Sequence, residues 1–300
     1  MDSYERGTIH QVNGIDLHVV DEGSGPAILL LHGFPNTAKL WANQIPTLVE
    51  QGFRVIAPDL RGYGRSAAPE DVDAYSVINV TEDLRSLMDE LEIEDAHVVG
   101  HDWGAATAWA FASFYAPRVV SLVAISVGHP ASFTKANLQQ LARSWYMMFF
   151  QFKDVAETLM SDNDWGLFRE WLKNEADVDL WIEDLSRPGR LTAALNWYRA
   201  NVPPSSYLTD SGIDWPSIKV PVMGIWSSKD FALLEEQMTG SEEYVAGPWR
   251  YERLDDVGHW MQTEAPEKVN ELLLDFLQEV KLSHKTGQEP TRTSSSSDST

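Results

Sequence analysis

Gly100-His101-Asp102-Trp103-Gly104 stands between an apolar run, Ala96–Gly100, and a stretch from Gly104 to Tyr115 with helical character. The spacing is that of a Gly-x-nucleophile-x-Gly elbow, whose glycines permit a tight strand-to-helix turn that lifts the central side chain above a sheet. Here that side chain is a carboxylate. A serine at this point makes an acyl-enzyme from an ester, whereas an aspartate attacks an electrophilic sp³ carbon and becomes an alkyl ester. Water can attack the carbonyl of that ester. A serine attacking the same carbon leaves an ether that activated water does not clear, so Asp102 points to alkyl transfer followed by hydrolysis.

The partners follow in the chain order nucleophile, acid, histidine. Asp230 lies in Ser227-Ser228-Lys229-Asp230, after an apolar run ending at Trp226, and His259 lies in Asp256-Val257-Gly258-His259-Trp260. The other position this arrangement uses for its acid follows the run Val119–Val127, but no Asp or Glu occurs between Ser121 and Asn137. Asp230 is therefore the expected acid, fixing the tautomer of His259 as it deprotonates water. Asp255 and Asp256 stand too near His259 in sequence for that role and are expected as solvated loop charges. Of the remaining histidines, His10, His18, His97 and His284 are expected to be structural or exposed. His101 packs beside the nucleophile, and His129 serves a hinge or lines a pocket. Hydrolysis of the ester also needs donors for the developing oxyanion. His32-Gly33-Phe34-Pro35 offers the Phe34 N–H, to be joined by the N–H of Trp103.

These groups must be placed by a scaffold, and the hydropathy pattern describes one. Asn13-Gly14 between two apolar runs reads as a hairpin. Ala27–Leu31 is apolar throughout, as in a strand buried on both faces. Val80, Leu84, Leu87, Met88 and Leu91 recur at helical spacing. Strand and helix alternate to about residue 129 and again from 217, predicting a mostly parallel α/β sheet flanked by helices. Between 130 and 216 the pattern is helical only. The expected organisation is a core of residues 1–129 and 217–281, an inserted helical domain at 130–216, and a disordered tail at 282–300, where the Ser-rich end is of low complexity. Within the insertion, the aromatic and Met cluster Trp145–Phe150 is expected to face something apolar.

Composition narrows the partners. The 300 residues carry 45 acidic and 23 basic side chains, a formal net charge of −22, which disfavours nucleic acid and anionic membrane surfaces. No cysteine is present, which excludes disulfides, thiolate metal sites and a cysteine nucleophile. The longest apolar run, Val119–Gly128, is about half of the roughly 20 residues that span a bilayer. The start MDSYERG lacks a basic region followed by an apolar stretch, so a cytoplasmic protein is expected.

HGFP at 32–35, DLRGYGRS at 59–66, GHDWG at 100–104, KDF at 229–231 and GHW at 258–260 together resemble the α/β-hydrolase-fold epoxide hydrolases of the soluble and microbial type. The likeness covers most of residues 8–280. It implies the α/β-hydrolase fold, the inserted segment acting as a cap, and a cis bond between Phe34 and Pro35. It also implies two cap tyrosines that protonate the epoxide oxygen, matched by Tyr146 in Trp145–Gln151 and by Tyr198 in Leu195-Asn196-Trp197-Tyr198-Arg199. No cofactor and no metal are implied. The expected partners are a small apolar epoxide and water, and a homodimer is compatible with the sequence.

Two other readings share these residues. A haloalkane or haloacid dehalogenase uses the same Asp nucleophile, but many of the former carry Asn where this chain has Phe34, and the latter typically carry Arg where it has Trp103. A noncatalytic ligand receptor on this fold usually shows a damaged triad, which this sequence does not.

Overall fold

The computed structural model describes residues 3–133, 137–173, 175, 177–207, 213–286 and 293–294. The Asn13-Gly14 turn joins β1 (Thr8–Val12) to β2 (Ile15–Gly23) as an antiparallel pair. β3 (Ala27–Leu31), β4 (Arg54–Pro58), β5 (Ala96–His101), β6 (Val119–Ile125), β7 (Val222–Ser227) and β8 (Trp249–Leu254) complete the main sheet. A two-residue β9 (Thr293–Ser294) lies at its edge, and the order is β1-β2-β4-β3-β5-β6-β7-β8-β9. β2 meets β4 antiparallel; every pairing from β4 through β3 to β9 is parallel. β3, β5 and β7 are buried at every residue, as parallel strands covered on both faces must be.

Helices α1 (Gln44–Glu50), α2 (Val77–Glu90) and α3 (Trp103–Phe114) supply part of that cover. α2 starts where the Ser76 hydroxyl accepts from the Asn79 N–H, and it buries Val80, Leu84, Leu87 and Met88 on one face. α3 is buried along almost its whole length and packs against β5 and β6.

The helical insertion follows β6. It contains α4 (Leu138–Arg143), α5 (Trp145–Phe149), α6 (Val155–Trp171), α7 (Val178–Leu185) and α8 (Arg190–Asn201). α6 is broken midway, where Asn163, Asp164 and Trp165 adopt left-handed φ. The cluster Trp145–Phe150 divides: Tyr146, Met147 and Phe150 are buried, while Trp145 and Met148 face solvent.

Polar contacts bind the insertion to both halves of the core. On one side Trp197 Nε1 donates to Arg61 O at 3.1 Å and Arg190 Nη1 donates to Ser66 O at 2.6 Å. On the other, Gln140 Nε2 donates to Ala232 O at 2.8 Å and Arg143 Nη1 donates to Asp230 O at 2.7 Å. The insertion thus reaches the loop that carries the expected acid.

The last helix, α9 (Pro266–Thr286), runs past the expected boundary at 281 because no Gly or Pro interrupts it before Gly287. The tail expected to be disordered from 282 therefore begins as helix, and Thr293–Ser294 pair with β8; its other residues lie outside those described.

The close approach of α3 to the sheet depends on Gly104. A Cβ there stands 2.1 Å from Leu31 O and 2.5 Å from His32 O, both main-chain atoms that cannot swing aside. Gly104→Ala is expected to cost about 1–3 kcal/mol, the usual penalty of overpacking, and to lower Tm by several degrees in a thermal melt. Gly166→Ala, whose Cβ meets only Asn163 Cβ at 3.6 Å, is the control and leaves Tm unchanged or raised.

Candidate active site

β5 runs into the turn that carries Asp102, whose φ of 53° and ψ of −123° are unfavourable for a residue with a Cβ. The conformation is held from both sides. The Asp102 carbonyl accepts from the Ala105 and Ala106 N–H groups of α3, and the Asp102 N–H donates to Ile125 O. The side chain is then aimed at the loop after β3, where the Phe34 N–H donates to Asp102 Oδ1 at 2.7 Å. The Phe34–Pro35 bond is cis, as the resemblance implied. Gly33 allows this approach: a Cβ there lies 2.3 Å from Asp102 Oδ1 and 2.6 Å from Trp103 N. Asp102 Oδ1 thus accepts from one expected oxyanion donor, the Phe34 N–H, at the N-terminus of the helix that begins with Trp103 and whose dipole favours negative charge.

Asp102 Oδ2 faces His259 Nε2 at 3.7 Å. On its other side, His259 Nδ1 donates to Asp230 Oδ2 at 2.9 Å. Asp230 Oδ1 accepts from the N–H groups of Ala232 and Leu233 at 2.8 and 2.9 Å. Burial alone pushes the Asp230 carboxyl up, but His259 and these hydrogen bonds outweigh it and hold the group below the usual carboxylate range. For His259 burial opposes the charge, yet the Asp230 and Asp102 carboxylates on either side raise it to about 10. Both carboxylates thus favour the protonated form of the resting imidazole.

The insertion brings Tyr146 from α5 and Tyr198 from α8 to the same place, with ring centroids 5.8 Å apart and planes at 85°. Tyr198 also lies 5.1 Å from the Trp103 ring and 5.6 Å from Phe34. Burial first, and then the Asp102 charge, push the Tyr198 phenol well above its ordinary value, so it remains a proton donor. Asp102, His259, Tyr146 and Tyr198 line one pocket with Phe34, while Trp171, Phe231 and Trp260 form apolar walls. The free space left is about that of a single water molecule. A larger groove near Pro221, Trp249 and Phe276 shares none of these residues.

All seven expected site residues thus meet: Asp102, Asp230, His259, Tyr146, Tyr198, Phe34 and Trp103. The other histidines lie elsewhere or serve the scaffold. His10 faces Glu90, His18 faces Asp59 and His97 faces Ser121, at 3.0, 3.0 and 2.8 Å; the His284 side chain lies outside the described residues. His101 Nε2 donates to the His259 carbonyl at 3.0 Å, and burial, reinforced by His259, depresses it to about 3, so it stays neutral. His129 is fully buried, stacked on Tyr244 at 4.3 Å, and away from the pocket. Four contributors were not among the expected site residues. Phe231 and Trp260 are neighbours of the acid and base within motifs already singled out, whereas Trp171 is one aromatic among many in the insertion. Ser126, which contacts both Asp230 and His259, escaped because only an acid was sought after β6.

Because Asp102 is one of the two charges that raise His259, neutralising it has a defined effect. Asp102→Asn is expected to lower the His259 pKa by about one to two units, read by NMR titration of the imidazole nitrogens.

Residues 26–266 match the family model of the alpha/beta hydrolase fold. The AB hydrolase superfamily protein YfhM of Bacillus subtilis is 37% identical over 279 residues, which cover 88% of this chain and 95% of that protein. Epoxide hydrolase A of Mycobacterium tuberculosis is 32% identical, over 88% of this chain and 95% of its own. Among solved structures, the epoxide hydrolase of Bacillus megaterium in complex with an inhibitor superposes with a TM-score of 0.82 at 29% identity, covering 90% of this chain and all of that one. Epoxide Hydrolase A of Mycobacterium thermoresistibile gives a TM-score of 0.75 at 32% identity, over 91% and 98% of the two chains. The chain belongs to the α/β-hydrolase family and, within it, to the epoxide hydrolases.

Proposed function

We propose that this hydrolase converts small apolar epoxides to vicinal diols through a covalent Asp102 ester, with the helical insertion acting as a cap. The observation that carries the reading is the convergence of Tyr146 and Tyr198 on the pocket that holds Asp102 and His259. A carboxylate nucleophile below and two phenols above suit a substrate whose carbon is attacked while its oxygen takes a proton.

In the first step Asp102 Oδ2 bonds to an epoxide carbon, the ring C–O bond breaks, and a tyrosine hydroxyl delivers its proton to the departing oxygen. The product is a hydroxyalkyl ester and a phenolate. Esterification removes the Asp102 charge that helped to hold the His259 proton, and that proton passes to the phenolate. The imidazole is now a base. It takes a proton from water, whose oxygen bonds to the Asp102 carboxyl carbon while the N–H groups of Phe34 and Trp103 stabilise the oxyanion. Collapse breaks the bond to the diol oxygen, which takes the proton of the new carboxylic acid. Asp102 is again a carboxylate and His259 again an imidazolium, oriented by Asp230.

The aromatic walls favour apolar substrates. No described helix is long and apolar enough to cross a membrane. The excess acid belongs to the surface and not to the pocket.

Three outcomes test the reading. Offered racemic styrene oxide and 1-bromobutane in parallel, the enzyme is expected to form diol and release no bromide; halide without diol overturns the proposal. His259→Gln is expected to accumulate a covalent adduct equal in mass to the substrate, visible by intact-protein mass spectrometry. Tyr146→Phe with Tyr198→Phe is expected to lower the rate of ester formation by at least about 100-fold, since a general acid contributes roughly 10²–10⁴; unchanged ring opening removes the tyrosines from the account.

A further inference from the structure

Ser126 lies one residue past β6, at the position where this fold can carry an acid and this chain has none. It is fully buried. Its main chain already has a structural partner, since the Ser126 N–H donates to Ile225 O at 2.8 Å and so extends the pairing of β6 with β7. The hydroxyl is committed elsewhere. Oγ donates to Asp230 Oδ2 and lies 2.9 Å from His259 Nδ1, while Nδ1 and Oδ2 are themselves 2.9 Å apart. The three atoms form a closed triangle.

Proton counting settles who gives to whom. Ionised Asp230 only accepts, so the single hydroxyl proton goes to Oδ2, and a lone pair of Oγ is left to share the Nδ1–H of His259. Asp230 then has four donors: the Ala232 and Leu233 N–H groups, the Ser126 hydroxyl and His259. With Nδ1–H shared between two acceptors, the free lone pair of a neutral His259 is confined to Nε2, the nitrogen that faces Asp102.

The backbone makes the same point independently. Ser126 has a φ of 72°, which residues with a Cβ rarely adopt. For the fold alone glycine is the better residue there. A serine held in that conformation, with its hydroxyl spent wholly on the acid and the base, marks a functional constraint.

We propose that Ser126 is a positioning residue for ester hydrolysis, holding the Asp230 carboxylate and the Nδ1–H form of His259. The proposal rests on the roles given above to Asp102 and His259. Ser126 touches neither substrate nor Asp102 and acts through the acid–base pair alone, so ring opening does not need it.

The test is Ser126→Gly, which deletes the hydroxyl and relieves the backbone, beside Ser126→Ala, which deletes the hydroxyl and keeps the strain. Rapid-quench mass spectrometry with styrene oxide reads ester formation and ester decay separately. Both variants are expected to form the ester at a rate close to that of the parent. Both are expected to clear it about 10- to 100-fold more slowly, the rate equivalent of a lost hydrogen bond to a charged group. Deleting the hydroxyl removes both an acceptor at Nδ1–H and a donor to Asp230 Oδ2, whose effects on the imidazolium oppose each other, so the slower decay is expected across the pH profile with its acid limb moved by no more than about half a unit. The glycine variant is expected to melt no lower than the parent. Ester decay at the parental rate and pH profile in either variant overturns the proposal, as does slow decay in the glycine variant alone. A parent enzyme that forms no ester instead overturns the mechanism on which the proposal stands.

Discussion

Two carboxylates and an imidazolium share a site that water scarcely enters, and the architecture around them answers that electrostatic demand. Burying such charges is costly unless each is paired and hydrogen-bonded. Asp230 is therefore ringed by four donors, and Asp102 is met by the Phe34 N–H at the start of α3. His259 has a carboxylate on each face. No member of the set can be removed without leaving another uncompensated, which explains why the loops after β3, β5, β6, β7 and β8 all converge there.

The same charges give the chemistry its order. A histidine flanked by two carboxylates is biased towards the imidazolium and is a poor base. Esterification of Asp102 removes one of those carboxylates, so basicity appears only once there is an ester to hydrolyse. A base active from the start has no such protection against abstracting protons from whatever enters the pocket.

Much of this was legible in the sequence because its physical causes are local. The glycines around Asp102 announce a close strand–helix approach, the apolar runs announce buried parallel strands, and the order of Asp102, Asp230 and His259 follows the order of the strands. Tyr146 and Tyr198 are different. Which of several aromatics in the insertion points inward depends on how α5 and α8 pack, and only the likeness to a known family singled them out; Trp145 beside Tyr146 is exposed. Ser126 left no trace, because a hydroxyl after a strand is ordinary in composition and its left-handed φ is invisible in sequence. The end of α9 was misjudged for a similar reason, since Leu282–Thr286 looks like tail but has nothing to stop a helix already under way.

The insertion also divides the chain in time. Ile125 on β6 pairs with Ile225 on β7, about a hundred residues later, so that pairing closes the longest loop within the sheet. Asp102 belongs to the segment before this gap; Asp230 and His259 belong to the segment after it. Non-local pairings of this kind form late because their entropy is lost before any contact is gained. Nucleophile and base therefore meet only when the two halves have docked across β6 and β7. A complete chain whose halves have not docked carries every reactive group yet keeps the nucleophile apart from its acid and base, and turnover becomes a property of the finished sheet alone.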